Sequence, residues 1–552
     1  MAEEEEKGKG GRERPPAAPA PRPVTPRVVR REMRDLLRSH EQRRRQIPRA
    51  LLVGVLAGLV AVAFQWLLRA TDHLRDRVIA FGHALGAPAG VPLVLGLGAF
   101  GVAVAVTLVR RFEPDTAGSG IAKVKAVLRH LRAFHAWRVL PVKFFGGVTG
   151  IGAGLALGRE GPTIQMGAAI GHIVAGWVRC TPRERQTLIA AGSGAGLSAA
   201  FNAPLAGLVF VLEELQRDFA PGVFTVTLVA SVTADVVVRS LFGHLPVFHV
   251  GTHPIPPLSA LPVSLLLGVV AGLLGIAFNR GLLGGLRVFD RVASWPPWAV
   301  GGLVGAAVGG LGWFLPEYLG GGHRIVEATL AGSLTLDAVV LFLVVRFGLT
   351  LMSYGVGAPG GILAPLLGLG AGLGLMAGEL AHGFLPFAVM HPETYPVVGM
   401  AAFFTAVVRA PLTGIVLVVE MTGDYSLVLP LLVASLTAGG LADFARSRPI
   451  YEALLKRDLL RWQEKPELTE TLLLELSVVP GAPFEGRAIR DLGLPPGCIL
   501  INLRRGEESR VPTADDRLAA GDRITVVVSP QAAEAVPLLH AGTEAPEVAR
   551  AP

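Results

Sequence analysis

Two segments of the sequence recur, in the same order, in its second half. NAPLAGLVFVLEE (202–214) recurs as RAPLTGIVLVVEM (409–421), and GREGPTIQMGAAIG (158–171) aligns with GILAPLLGLGAGLG (361–374). Two matches in the same order are hard to obtain by chance, so the region that contains them consists of two related halves. In membrane proteins such halves, often inverted, place a substrate site at their interface.

Apolar stretches of near-spanning length begin near Pro48 and continue to about Leu460. The chain of 552 residues is 51% hydrophobic and only 17% charged, whereas soluble domains carry about 25% charged residues. These values predict a polytopic α-helical protein that lies in a lipid bilayer. One candidate span covers residues 187–215. The N-terminus lacks an apolar stretch, so we expect no cleaved signal peptide.

Much of the net charge of +8 lies in residues 1–47, which are rich in Pro, Ala and Arg. We expect this segment to be a disordered basic tail that ends in a basic helix at a membrane face. Because the basic excess is concentrated at one end, it favours a membrane surface over nucleic acid as the partner. The positive-inside rule places this end of the chain in the cytoplasm.

Two Gly-rich loops lead into prolines that are related by the repeat, Pro162 and Pro365. Proline is favoured in the first turn of a helix, and a helix N-terminus offers free N–H groups and the positive end of a dipole to an anion. The pattern predicts two helix N-termini that converge on one anion. Glu160 lies in the first of these loops, and ionisable groups at membrane depth are rare and usually functional. The alternative is that Glu160 only caps its helix.

Seven ordered motifs resemble those of the CLC family of chloride channels and proton/chloride antiporters. They are GSGIA (118–122), KFFGG (143–147), GREGP (158–162), FNAPLAGLVFVLEE (201–214), GGILAP (360–365), VRAPLTGIVLVVEMT (408–422) and SRPIYEALL (447–455). The resemblance covers about residues 45–460. It implies an all-α polytopic membrane fold with an inverted internal repeat, and a homodimer with a separate anion pathway in each subunit.

The resemblance also implies a central chloride site. Ser119 and Tyr451 would offer hydroxyl groups to the ion, and the backbone N–H groups of Ile362 and Leu363 would complete the site. Gly120 would also belong to the chloride site, in the loop GSGIA (118–122), which is called the first filter loop below. Tyr451 has an alternative interpretation as a tyrosine of the interfacial aromatic belt.

Four charged residues receive roles from the same resemblance. Glu160 would be the external gate, whose carboxylate occupies an anion position until protonation or movement frees it. Glu214 would be the internal proton acceptor that accompanies antiport. Arg159 and Lys143 would add positive potential along the path. Chloride and protons would be the substrates, and we expect no cofactor and no metal.

The repeat separates two neighbouring glutamates. Glu213 aligns with Glu420 in the second copy, so the glutamate at this position is expected to be structural in both halves. Glu214 aligns with Met421 and breaks the symmetry, which favours a functional role, although a purely structural role is the alternative.

Two positions depart from the family pattern. GSGIP reads GSGIA here, with Ala122 in place of Pro, and GxFxP carries Leu363 in place of Phe. These changes affect the rigidity of the first filter loop and the apolar lining near the central site. In the family, Pro in place of the filter serine accompanies nitrate preference, so Ser119 implies a preference for chloride.

Beyond Lys465 the composition changes from that of a membrane region to that of a small soluble domain. Strands are predicted over 468–479, 498–505 and 522–529, and a short helix is predicted over 530–540. The phrase VPTADDRLAAGDRITVVV resembles the C-terminal lobe of the TrkA/RCK type, a small α/β domain. The resemblance implies a cytoplasmic regulatory domain that dimerises or senses an unidentified small ligand, and a structural dimer clamp is the alternative.

These observations give a domain order and a function. We predict a transmembrane domain over 48–460 with repeats of about 48–245 and 255–460, a TrkA-C-like domain over 468–542, and a tail over 543–552. The predicted function is H+/Cl− antiport across the inner membrane, with both termini in the cytoplasm. A passive chloride channel, gated by voltage or ligand, is the alternative. An intramembrane enzyme is opposed by the absence of HExxH and GxSxG motifs.

Overall fold

The structure, a computed structural model, describes seven ranges of the chain. They are residues 26–217, 221–243, 248, 255–386, 389–461, 471–506 and 508–544, with side chains from Arg45 onward. Parts of three predicted segments lie outside these ranges, namely 1–25 of the N-terminal tail, 468–470 of the first strand and 545–552 of the C-terminal tail.

The membrane region of the described residues is entirely helical, and its helices range from 7 to 60 residues. They are α1 (Pro26–Leu85), α2 (Ala87–Phe112), α3 (Ile121–Leu128), α4 (Ala136–Gly152), α5 (Glu160–Trp177), α6 (Pro182–Phe201), α7 (Pro204–Phe210), α8 (Pro221–Phe242), α9 (Leu261–Arg291), α10 (Pro297–Phe314), α11 (His323–Leu330), α12 (Leu336–Gly355), α13 (Leu363–Phe384), α14 (Tyr395–Val408), α15 (Pro411–Thr422), α16 (Val428–Phe444) and α17 (Ile450–Arg461). A π-helical turn, Val211–Gln216, extends α7.

Helix length divides this region into two classes. Within the described ranges, seven helices are long and apolar enough to cross a membrane, whereas α3, α7 and α11 have eight residues or fewer. The predicted span 187–215 is in fact broken. It breaks because Asn202 adopts a left-handed conformation (φ 53°) at the end of α6 and Pro204, at the first position of α7, cannot continue the preceding helix. Interrupted helices of this kind are tolerated where they line a cavity or lie within protein.

The N-terminal helix begins within the basic segment. α1 starts at Pro26, and a basic helix is expected at the end of this segment. Eight of the 22 residues in the segment 26–47 are arginines, and Arg is a good helix former.

Glycines set the closest helix contacts in both halves. A Cβ atom at Gly167 of α5 would collide with the backbone of Gly192 in α6, and one at Gly399 of α14 would collide with the backbone of Gly370 in α13. The two contacts are related by the repeat. Small residues at such crossings let helix backbones approach closely in a membrane.

The C-terminal domain contains a four-stranded antiparallel sheet and one helix among the described residues. The strands are β1 (Leu472–Ser477), β2 (Cys498–Arg505), β3 (Glu508–Arg510) and β4 (Arg523–Val528), in the spatial order β1-β4-β2-β3, and the helix is α18 (Ala535–Thr543). The helix starts five residues later than predicted, because Pro530–Ala532 forms a 3-10 turn. Alternate residues of β4, from Ile524 to Val528, are buried in the core under α18.

Leu131, which lies between α3 and α4, joins the two domains. Its side chain packs against the core of the membrane region and also against the core of the C-terminal domain. On the other side of this contact, burial and the positive charges of Arg129 and His130 lower the pKa of His540 in α18 to about 4. The C-terminal domain therefore contacts the chain directly after α3.

Candidate functional site

Three loops meet at the start of α3, α5 and α13. The N–H groups of Gly158 and Gly361 each donate to the other residue's carbonyl at 2.7 Å. Gly118 N–H donates to Ala358 O at 3.2 Å, and Gly360 N–H donates to Gly118 O at 3.0 Å. These bonds bring three helix N-termini to one point, and the repeated Gly-rich loops predict two of them, those of α5 and α13.

None of these helix starts has a side-chain cap. The N-cap residues are Gly120 for α3, Arg159 for α5 and Ile362 for α13, and none of these three residues accepts a side-chain hydrogen bond from the first turn of its helix. The first N–H groups of a helix have no partner within the helix, and together with the helix dipole they favour an anion. Gly120 is suited to its place because its φ is 79°.

Glu160 is the first residue of α5 and is completely buried. Among the described residues, neither of its carboxylate oxygens has a hydrogen-bond partner. The carboxylate faces the backbone N–H of Ala364 in the first turn of α13 without the geometry of a full hydrogen bond. The guanidinium groups of Arg159 and Arg346 supply the nearby positive charge. Glu160 is therefore a buried carboxylate without firm hydrogen bonds that lies where three helix N-termini meet.

Two hydroxyl groups predicted for the central site are also buried. Ser119 is 1% exposed, and its Oγ accepts a long hydrogen bond from Ile121 N–H at 3.4 Å. Tyr451, in the first turn of α17, is fully buried, and its hydroxyl has no partner among the described residues. A buried hydroxyl group without a partner makes Tyr451 a candidate ligand for an anion.

Tyr354 belongs to the same cluster and was missed by the sequence analysis. Its hydroxyl accepts a hydrogen bond from Ser119 N–H at 3.4 Å, and a Cβ atom at Gly118 would lie 2.8 Å from it. Tyr354 lies outside the seven family motifs, and its hydrogen-bond partner Ser119 lies 235 residues away in the sequence. A contact so distant in sequence leaves no local signal.

Lys143 holds the first filter loop in place. Its side chain is fully buried, and Nζ donates to Thr116 O at 2.9 Å and to Gly118 O at 2.7 Å. The structure thus places this predicted pathway residue beside the loop, where its two hydrogen bonds fix the backbone.

Arg346 does the same for the related loop of the second half. It is 1% exposed, and its guanidinium donates to Tyr318 O at 2.7 Å and to Gly320 O at 2.6 Å. The sequence analysis missed Arg346. An alignment of KFFGG with RFGLT (346–350) would have indicated it.

Arg159 lines a cavity of about 430 Å³ next to Glu160. The cavity is charged: Arg69, Arg324 and His323 also line it, together with three acidic residues. A charged, solvent-sized space beside the buried carboxylate is suited to the entry of small ions.

Glu214 lies in the π-helical turn after α7, and its side chain is 1% exposed. Its Oε1 accepts a hydrogen bond from Lys125 Nζ at 2.7 Å. Lys125, on α3, was not singled out by the sequence. Ionisable groups this deeply buried are stable as a pair.

The neighbouring Glu213 is structural, as its counterpart in the repeat predicts. Its carboxylate accepts bonds from the N–H groups of Leu412 and Thr413 at 3.1 and 2.7 Å, in the first turn of α15. Glu420 accepts the equivalent bonds from the first turn of α7 at 3.1 and 2.7 Å. Each copy caps a helix of the other, as a local twofold axis requires.

The comparisons with known proteins agree with this geometry. The model of the voltage gated chloride channel (CLC) family matches residues 101–443, which is more than half of the chain. The chain belongs to the CLC family. A model of the TrkA-C domain matches residues 473–537. Both resemblances noted in the sequence are therefore confirmed.

Among the curated CLC relatives are H(+)/Cl(−) exchange transporters named ClcA. Those of Salmonella paratyphi B and Salmonella newport are each 38% identical over 449 residues, which is 79% of this chain and 94% of theirs. A crystal structure of a slow cyanobacterial Cl−/H+ antiporter is 34% identical, with a TM-score of 0.74, and covers 76% of this chain and 99% of that chain.

A eukaryotic CLC transporter shares the fold. Its structure is 22% identical, with a TM-score of 0.64, over 81% of this chain and 78% of that chain. The all-α CLC fold with its internal repeat, and the small α/β domain that follows it, are confirmed by these likenesses.

Proposed function

We propose that the protein exchanges chloride for protons across a membrane. The observation that carries this proposal is the buried carboxylate of Glu160, which has no firm hydrogen bond and lies at the meeting point of three helix N-termini. Groups built for an anion surround a residue that can gain a proton. The antiporters among the relatives support the same function.

Chloride binds at the centre of this cluster in our proposal. Ser119 and Tyr451 contribute hydroxyl groups, and the first turn of α13, at Ile362 and Leu363, contributes backbone N–H groups. Gly120 contributes through its backbone, because its left-handed conformation lets the loop turn into the N-terminus of α3. Glu160 is the outer gate, since protonation neutralises its carboxylate and frees an anion position. Chloride and protons are substrates, and the proposal includes no cofactor and no enzymatic reaction.

Glu214 is the inner proton site in this proposal. It is buried and pairs with Lys125 rather than capping a helix, unlike its neighbour Glu213. A passive chloride channel of the same fold needs the anion site but has no use for an inner proton acceptor. The buried Glu214 therefore favours antiport over the channel alternative.

Vesicles test the proposal directly. Purified full-length protein is reconstituted in liposomes loaded with chloride, and these are diluted into a chloride-poor medium. We expect chloride efflux to drive proton uptake against a proton gradient, measured with a pH electrode, and protein-free liposomes serve as the control. Chloride efflux without proton uptake would show a passive channel instead.

The C-terminal domain regulates transport in our proposal. It contributes no helix to the membrane region, yet it contacts Leu131, directly after the helix that starts at the filter loop. Movement of the domain can reach the chloride site through α3, whose N-terminus lies eight residues before Arg129.

Deletion of residues 466–552 tests this division of labour. We expect the shortened protein to keep the H+/Cl− ratio and to change its rate, measured in liposomes per amount of folded protein. A Leu131→Asp substitution in the full chain is the matched variant, since it disrupts the contact and keeps the domain. Folded shortened protein without chloride flux would make the domain part of the transport machinery.

The setting of the protein is proposed from charge and family. The basic N-terminal segment, which includes Arg43, Arg44 and Arg45, supports a cytoplasmic N-terminus by the positive-inside rule. We propose a multi-pass inner-membrane homodimer whose C-terminus is also cytoplasmic.

A further inference from the structure

The ion pair between Lys125 and Glu214 is the most deeply buried pair of opposite charges in the described part of the chain. The Lys125 side chain is 0% exposed and that of Glu214 is 1% exposed, with 2.7 Å between Nζ and Oε1. Oε2 of Glu214 has no hydrogen-bond partner among the described residues. One oxygen of the carboxylate is therefore held, and the other is available to a proton.

The charges around this pair come from three elements. Lys125 lies on α3, Glu214 lies in the π-helical turn, Arg217 follows that turn, and Glu452 lies on α17. Arg217 and Glu452 form an ion pair with each other, and both act on Lys125 and Glu214. Tyr451, also on α17, is acted on by Glu214. The four charged groups sum to zero when Glu214 is ionised.

The pair has no counterpart in the second half. The position of Lys125 on α3 corresponds to Glu327 on α11, since both helices have eight residues and begin after a left-handed glycine. The position of Glu214 corresponds to Met421. The framework contacts of Lys143 and Glu213 are duplicated, so the fold itself does not require the Lys125–Glu214 pair.

We propose that Lys125 is a positioning residue that links proton uptake at Glu214 to chloride binding. This inference rests on the proposed function. A proton from cytoplasmic water binds Oε2 of Glu214 and forms a neutral acid, while Lys125 stays an ammonium. The pair changes from neutral to one net positive charge beside Tyr451, and an added positive charge favours an anion at the chloride site.

The linkage is reciprocal. If protonation of Glu214 tightens chloride binding, bound chloride must favour protonation by the same factor. Lys125 sets the level of both equilibria, because its positive charge opposes protonation of Glu214 and attracts chloride. It also carries the effect mechanically, since Lys125 is the fifth residue of α3 and the filter loop leads directly into the first residue of the same helix.

The test measures chloride affinity and its dependence on pH, which would not change if Lys125 had only a structural role. Isothermal titration of purified full-length protein with chloride is done at acidic and alkaline pH, in a Glu160→Gln background that removes the titration of the gate. We expect Lys125→Met to weaken chloride binding roughly three- to tenfold, as the loss of one nearby unit charge implies. We also expect the pH midpoint of the affinity change to move upward. Lys125→Arg should restore both values.

A second variant covers a failure of Lys125→Met to fold. Lys125→Met combined with Glu214→Gln removes both charges, which proteins tolerate better than one unpaired buried charge, and it should bind chloride equally at both pH values. Folded Lys125→Met with unchanged affinity and midpoint would overturn the proposal, as would a pH-dependent double variant. If the vesicle experiment shows no proton coupling while these affinities change as expected, the antiport function fails and the linkage remains.

Discussion

Lys143 in the first half and Arg346 in the second half each hold two backbone carbonyls of the loop before a short helix. The two loops end at Gly120 and Gly322, whose φ values are 79° and 80°. The short helices α3 and α11 that follow both have eight residues. The two halves therefore build the same frame twice, with a buried cation that fixes a loop and a glycine that turns it into a helix.

The halves differ at the positions that point into the site. Glu160, the first residue of α5, corresponds to Leu363, the first residue of α13. Glu214 corresponds to Met421, which is fully buried among apolar residues. Both glutamates of the proposed proton path thus belong to the first half, and their counterparts are apolar.

This difference distinguishes residues that support the fold from residues that take part in the proposed transport. A buried loop or helix end must have its backbone groups satisfied in either half, so the residues that do this are kept in both copies. Each proton site of the proposed pathway is needed in only one of the two halves, and a second carboxylate at the related position would add a desolvation cost without a partner. Symmetry of a contact therefore indicates framework, and asymmetry indicates function.

The largest effect is expected for a substitution at Glu160, one of the positions where the two halves differ. Glu160→Ala should abolish proton coupling while chloride still flows, because the anion position is then never blocked by a carboxylate that must be protonated. The measurement is the H+/Cl− ratio in liposomes. The matched variant is Leu363→Ala at the related position, which removes an apolar side chain and should keep the ratio.

Two outcomes would contradict this assignment. Chloride-driven proton pumping by Glu160→Ala would remove Glu160 from the proton path. Loss of coupling in folded Leu363→Ala would show that both halves carry the chemistry, and the division by symmetry would be wrong.

The parts of this arrangement that were predictable from sequence are those with a local signal. The repeats and the prolines Pro162 and Pro365 indicated converging helix starts, and the alignment of Glu213 with Glu420 indicated a structural pair. All of these rest on patterns within a few residues, which hydrophobicity and loop composition reveal.

The rest of the site depends on contacts across the fold. Lys125 and Glu214 are 89 residues apart, and nothing in either neighbourhood specifies the other. The repeat of the α3 loop was also invisible in sequence, since GSGIA (118–122) and GGGHR (320–324) share only their outer glycine spacing. The backbone keeps φ > 0 at both glycines, whereas the side chains between them have diverged.

A smaller effect is expected where the halves are alike. Glu213→Gln and Glu420→Gln each replace one acceptor of a helix cap by a donor, which should lower stability by about 1–2 kcal/mol and leave the H+/Cl− ratio unchanged. Thermal unfolding of the purified proteins and the vesicle assay measure the two quantities. A changed ratio in either variant would give these symmetric glutamates a role in transport.

The smallest effect sharpens the comparison to a single hydroxyl group. Thr413 Oγ1 donates to Glu213 at 2.7 Å in addition to the backbone bonds, whereas the related position at α7 is Ala206, which has no hydroxyl. One such hydrogen bond contributes about 1 kcal/mol, so Glu213→Gln should be more destabilising than Glu420→Gln by about that amount. In a Thr413→Ala background the two substitutions should become equal, because both caps then consist of backbone donors alone. The difference in unfolding free energy between the paired variants, measured with and without Thr413→Ala, is the test. A difference that persists without the hydroxyl would mean that the two caps are not equivalent.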